Sequence, residues 1–387
     1  MKKRKTAAGA AAVLLCLGLM PVQAFGQASP EFAYSAEKWA SLRDDKLEYD
    51  EIADLVHEYN NTVVQNAISY KDEKDDSRDD VAQDYYDRAN EIYGNLEYPD
   101  SDDASYGSRV ASALNSEKQA ESLMKQGDET VDDGETKKLG YEQTEAGLVK
   151  QAQELMISYW SQACSMDSLK ARKQQAETAY QSELKRLEAG MSTQSAVLSA
   201  KEAVSNAEAS IVTAESSLQK TKESLCQMLG WGYGAQVEIG LLPEPELERI
   251  AAIDTEADTK KALENSYGLK KTVKQLANAR TATVREKLQQ TEKNQRTAIA
   301  NSVGSACQNL LLARSEYEQA EQAFQLEGTS MASAERKLAA GTMTQTAYQN
   351  QQVSYLAARV AADTKKLDLL KAMVNYEWTV NGLASVS

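Results

Sequence analysis

Three kinds of side chain in this sequence could carry chemistry: one histidine, four cysteines and a run of carboxylates. His57 is the sole histidine, so any nucleophile–imidazole–carboxylate triad would have to be built on it. Neither a G-x-S-x-G elbow nor a cysteine-centred nucleophile motif accompanies it, and it reads as a surface residue of a helix. Cys164, Cys226 and Cys307 are widely spaced within helix-like runs, where zinc sites need close pairs and disulfide frameworks an even set. They read as small core residues. Cys16 follows Leu15, which is bulkier than a lipid-attachment motif tolerates. From Lys71 to Ala104, 13 Asp/Glu stand against 4 Lys/Arg, with Tyr85, Tyr86, Tyr93 and Tyr98 interleaved. A calcium loop would show D-x-D-x-D-G spacing, which is absent, so a solvated helix and loop is expected. No catalytic residue, metal or cofactor is expected, and an enzyme is not.

Charge and processing narrow the setting. Lys2, Lys3, Arg4 and Lys5 precede an apolar run, Ala7 to Met20, and Val22-Gln23-Ala24 offers a cleavage site; Gly26-Gln27-Ala28 offers a second. Residues 1–24 are therefore expected to be a signal peptide, or 1–28 at the alternative site, and the protein to be exported to the cell envelope. Losing those four cations moves the net charge from −15 to −19, which disfavours nucleic acid as a partner. No later stretch approaches the roughly 18 apolar residues of a membrane helix.

The elements that would position any site are helices. Alanine, Gln, Lys, Glu and Leu dominate, aromatic residues make up 6%, and proline occurs only at 21, 30, 99, 243 and 245. The proline-free stretches 100–242 and 246–387 are nearly equal, and each permits very long helices. Val197, Val204, Ile211, Leu218 and Leu225 repeat every seven residues, with Ala200, Ala207, Ala214, Thr221 and Met228 as a companion row. Ala152, Tyr159, Met166, Tyr180 and Leu187 form another row, interrupted by Lys173. Further on, Val353, Val360, Leu367 and Val374 lie beside Tyr348, Tyr355, Ala362, Leu369 and Tyr376. Two apolar rows on one helix require two neighbours.

Each proline-free stretch is interrupted by nearly the same words. Arg186 to Leu198 reads RLEAGMSTQSAVL and Lys337 to Gln349 reads KLAAGTMTQTAYQ. Gly190 and Gly341 suit the left-handed position that ends a helix. Ser192 or Thr193, and likewise Thr344, can cap the returning helix. The expectation is a tandem duplication, 29–242 and 243–387, each a long antiparallel helical hairpin with arms of roughly 40 to 50 residues. Between them lie Gly230-Trp231-Gly232-Tyr233-Gly234, a possible strand over Gln236 to Ile239, and LLPEPELERI; Thr255 to Thr281 resumes as shorter helices. In the first half, residues 36–70 read as one or two helices, and Gly127 to Gly134 as a loop.

In this order the motifs RLEAG…SLCQMLGWG, the linker from VEIGLLPEPELERI to ALENSYGLKKTVKQLANA, and KLAAG…MVNYEWTVNG resemble the TolC family of outer-membrane efflux proteins. Asp44 to Ile68 resembles that family's counterpart helix in the first half. The resemblance implies an all-α fold with little β-structure, whose two hairpins per chain close, in a homotrimer, into a hollow α-helical barrel. It implies a passive conduit working with a membrane-fusion adaptor and an inner-membrane transporter. By matching positions, Gly190, Met191, Ser192 and Thr193 with Gly341, Thr342, Met343 and Thr344 would be the adaptor-docking tips. Two departures stand out. The family's membrane-embedded strands would fall near Asn95 to Gly140 and Thr281 to Arg296, and neither stretch alternates as such strands must. Acidic residues that constrict the pore past the second tip are matched here by Ala347 and Asn350. The competing reading is an exported coiled-coil spacer or adhesin stalk, which explains the heptads but not the duplicated tip.

Overall fold

The computed structural model describes residues 34–98 and 106–386; the stretch expected to be a signal peptide and residues 99–104 of the acidic segment lie outside them. The first half runs α1 (Ala36–Ser41), β1 (Lys46–Leu47), a 3-10 turn, α2 (Ile52–Tyr59), α3 (Asn61–Glu73), α4 (Arg78–Gly94), α5 (Tyr106–Glu129), α6 (Gly134–Glu188) and α7 (Gln194–Met228). The second runs β2 (Glu238–Ile239), α8 (Leu247–Ala251), α9 (Thr255–Asn265), α10 (Tyr267–Asn278), α11 (Ala282–Ala339) and α12 (Gln345–Trp378), and ends in a π-type turn at Thr379–Leu383.

The fold is the expected pair of hairpins, but each has one arm longer and one shorter than the roughly 40 to 50 residues expected. Helix α6 has 55 residues and α7 has 35; α11 has 58 and α12 has 34. At 1.5 Å per residue the long arms reach roughly 80–90 Å. Each hairpin packs on itself and α6 also packs along α12, giving one layer in the order α7–α6–α12–α11. The double row on α12 is thereby explained. Leu369 and Tyr376 are buried with Ile299 and Leu310 of α11, while Leu367 and Val374 pack with Ile157 of α6. Lys173, the break in the α6 row, is accommodated by Glu208 of α7 at 3.1 Å and by Glu177 at 3.5 Å.

Long and short arms differ by about twenty residues, and short helices fill the difference. Beyond the end of α7, helices α2 and α3 pack along α6; beyond α12, helix α10 packs along α6 and α11. The stretch Asp44 to Ile68 is therefore not one helix. Asn60 breaks it, because its side chain serves two helix ends at once: Oδ1 accepts from the amides of Thr62 and Val63, while Nδ2 donates to the Met228 carbonyl at the end of α7. Gly230, at φ +87°, follows immediately, and a Cβ there would lie 2.3 Å from that of Tyr59. The second half repeats the joint. Ser266 caps α10 through the Leu269 amide, Asn265 donates to the Val380 carbonyl, and Gly382, at φ +124°, sits against Tyr267.

A belt covers one face of the layer. β1 and β2 pair in parallel over two residues, Lys46 with Glu238 and Leu47 with Ile239, so the expected strand shrinks to its last two positions. Leu47, Ile52, Leu55, Leu225 and Leu229 are 0–1% exposed, and each contributes up to about 2 kcal/mol by burial. Trp160 donates to the Gly240 carbonyl, Lys366 meets Glu244, and Arg249 meets Glu377 at 2.7 Å.

Where the resemblance would place membrane strands, most of the described residues are helical and none is a strand. The span after Asn95 holds α5, which pairs with α4 through Ala89, Ala120 and Leu123, and the span from Thr281 is the start of α11. The expected loop at Gly127 is corrected: α5 runs on to Glu129. Arg78 makes this possible by donating to the carbonyls of Gly127, Asp128 and Thr130, supplying partners for the helix end from outside.

Candidate functional site

The two tips have one construction. At the first, the amides of Gly190 and Met191 bond the carbonyls of Leu187 and Arg186, at 2.9 and 2.7 Å. At the second, Gly341 and Thr342 bond Leu338 and Lys337, at 3.0 and 2.9 Å. Both are Schellman closures, with the glycine at φ +71° and +68°. A Cβ at either glycine would meet nothing within 4 Å, so backbone conformation alone demands glycine there. Thr193 and Thr344 cap the returning helices, each accepting from an amide at 3.2 Å, that of Ala196 and that of Ala347. The choice left open between Ser192 and Thr193 falls to Thr193. Ser192 donates instead to Glu183 at 2.5 Å, pinning the turn back onto α6.

The tips lie at the same end of the layer, since α6 and α12 run antiparallel in register. Lys150 contacts Asn375, Gln153 contacts Trp378, and nearer the tips Gln175 donates to Asn350 at 2.8 Å. What the tips present is small, polar and uncharged from Gly190 to Thr193 and from Gly341 to Thr344, apart from two methionines. Met191 is 67% exposed and Met343 half-buried; thioethers adapt to varied partners. Lys185, Arg186, Arg336 and Lys337 flank the turns, where the negative ends of α6 and α11 favour cations.

Other candidates resolve differently. His57 is no surface residue: its Nδ1 lies 2.7 Å from Glu145 of α6, and it is only 18% exposed. Cys226 and Cys307 are buried and Cys164 half-buried; burial pushes the Cys164 and Cys226 thiols upward, away from reactive thiolate. Among the described residues, no three of His, Cys, Asp and Glu are grouped to hold a metal. The acidic segment is held by local bonds: Ser77 caps α4, and a hydrogen bond from Arg78, helped by Arg280, keeps the Asp79 carboxyl below its usual range. Tyr376 donates to Asp258, and burial followed by that carboxylate raises its phenol.

Residues 101–231 match the family model described as outer membrane efflux protein. No curated protein matches the chain. Solved structures share its fold. The CmeC outer membrane channel of Campylobacter jejuni is 10% identical with a TM-score of 0.56, covering 93% of this chain and 91% of its own. A membrane protein from Pseudomonas aeruginosa is 11% identical with a TM-score of 0.53, covering 86% and 93%. The outer membrane protein VceC of Vibrio cholerae is 11% identical with a TM-score of 0.50, covering 90% and 99%. Among the described residues no helix is long and apolar enough to cross a membrane.

Proposed function

We propose that this chain is one third of a passive export conduit of the cell envelope, a reading supported by the match of residues 101–231 to the outer membrane efflux protein model and by the fold shared with the solved channels. Three copies would close their layers into a ring of twelve helical strands. Their tips, Gly190 to Thr193 and Gly341 to Thr344, would dock a membrane-fusion adaptor coupled to an inner-membrane transporter. The repeats are assigned as 29–242 and 243–387, after a leader ending at residue 24 or 28.

The observation that carries the ring is at the layer's free edges. Helix α7 exposes Leu198 and Val212, at 66% and 64%; α11 exposes Leu312 and Leu326, at 59% and 66%. Counted outward from Gly190 and Gly341, Leu198 falls level with Ser333, Ser205 with Leu326, Val212 with Gln319, and Gln219 with Leu312. Each apolar knob on one edge meets a polar position on the other, so the edges interdigitate when one copy's α7 lies beside the next copy's α11. That contact is head-to-tail, and such contacts either close into rings or run on as filaments. The test is oxidative cross-linking of Ser205→Cys with Leu326→Cys, the three native thiols replaced by alanine. Covalent trimers are expected, and Ser205→Cys with Leu312→Cys should give none. Cross-linking that is equal for both pairs, or absent from both, refutes the register.

One feature favours the alternative of an exported spacer or stalk. The helical hairpin α4–α5 stands where the resemblance would place a membrane-embedded pair of strands, and its exposed charges are unsuited to hydrocarbon. A stalk reading predicts the same heptads but no specific tip partner. Loss of adaptor capture by Gly190→Pro with Gly341→Pro, the mass being unchanged, supports the conduit; undiminished capture supports the stalk.

A further inference from the structure

A cleft of about 560 Å³ lies between α6 and α11, at the level where α12 ends. Its position follows from the helix faces. On α12 the belt takes Lys366, Leu370, Val374 and Trp378, whereas Asn375 and Thr379 line the cleft. On α11, Cys307 meets Thr255 of α9, whereas Asn301, Ser305 and Asn309 line the cleft on the far side.

Its chemistry is set apart from the rest of the chain. Acidic residues outnumber basic ones, 58 to 43, yet among the described residues no carboxylate side chain lines this cleft. Lys150 supplies the one charge, surrounded by the amides of Asn301, Asn309 and Asn375 and the hydroxyls of Ser302 and Ser305. The Lys150 side chain is 24% exposed; its ammonium donates to Asn375 Oδ1 at 2.7 Å, and Glu154 pairs with it only at 3.9 Å, too far for a hydrogen bond. An ammonium has three donors, so capacity remains toward the cleft. Amides and hydroxyls can turn donors to the same point, which is what an oxyanion needs.

We infer that this cleft binds a small anionic organic solute, its phosphate or carboxylate on Lys150 and its polar remainder on the asparagines and serines. In a closed ring, a reading that rests on the proposed conduit, three such clefts would face the lumen and bias traffic toward anions. The site itself is complete in one chain.

The test is equilibrium dialysis of the purified chain against radiolabelled inorganic phosphate at low ionic strength. One saturable site per chain is expected. Lys150→Met should weaken it by about tenfold or more, the loss of one charge-assisted contact, while Lys150→Arg retains it and the exposed Lys260→Met leaves it unchanged. Asn309→Asp, at an exposed position, should abolish binding without threatening the fold. Glycerol phosphate should displace the label. Absence of saturable binding, indifference to both Lys150→Met and Asn309→Asp, or retention of the label against glycerol phosphate overturns the assignment. Failure here leaves the ring standing, because dialysis reads the single chain and cross-linking reads the edges.

Discussion

Replacing Asn60 tests how the short helices are joined to the long ones. Its Oδ1 caps α3 and its Nδ2 satisfies the last carbonyl of α7. Asn60→Ala removes a helix cap, costing about 1 kcal/mol, and leaves the Met228 carbonyl without its partner, costing about 1–2 kcal/mol more. Asn60→Asp keeps the cap but loses the donor, so it should cost about half as much. A chain this elongated will not unfold in one step, so the assay is native-state hydrogen exchange at the joint. The Thr62 and Val63 amides should exchange roughly 30- to 150-fold faster in Asn60→Ala, the equivalent of about 2–3 kcal/mol, and about tenfold faster or less in Asn60→Asp. Equal acceleration in the two variants, or none in either, refutes the double role of this side chain.

Glycine at positive φ should matter in proportion to its surroundings: Gly190→Ala and Gly341→Ala cost about 1 kcal/mol each by backbone strain alone, while Gly230→Ala costs more, because its Cβ collides with Tyr59; thermal denaturation of the three variants ranks them. His57→Ala should loosen α2 from α6 by about 1–2 kcal/mol through loss of the Glu145 contact, and exchange at α2 amides reads it. The root of the α4–α5 hairpin should weaken in acid. Asp79 has a depressed carboxyl, so its contribution is present above the ordinary carboxylate range near pH 4 and is lost as pH falls through the lowered value. Exchange in α4 should rise below that range in the native chain and less so in Asp79→Asn.

The hairpins were legible because their signals are local. A seven-residue period needs no distant partner to be read, and a glycine followed three residues later by a threonine marks a turn wherever it stands, as φ +71° and +68° attest. The second row on α12 requires a second neighbour, which α6 supplies. What escaped depends on distant residues. His57 is paired across 88 positions and Asn60 across 168; neither partner leaves a mark beside the residue itself. Gly127 stays helical because Arg78, 49 positions away, supplies its carbonyl with a donor. The cleft at Lys150 draws its asparagines from α11 and α12, and no spacing on α6 foretells them.

The central claim is that these layers close on themselves, and the absolute mass in solution tests it most directly. Residues 29–387, purified without detergent, should give by light scattering on a sizing column an elongated particle of three chain masses, converted to monomer by Val212→Glu with Leu326→Glu. A stable dimer, or a trimer indifferent to those edge substitutions, would contradict the ring.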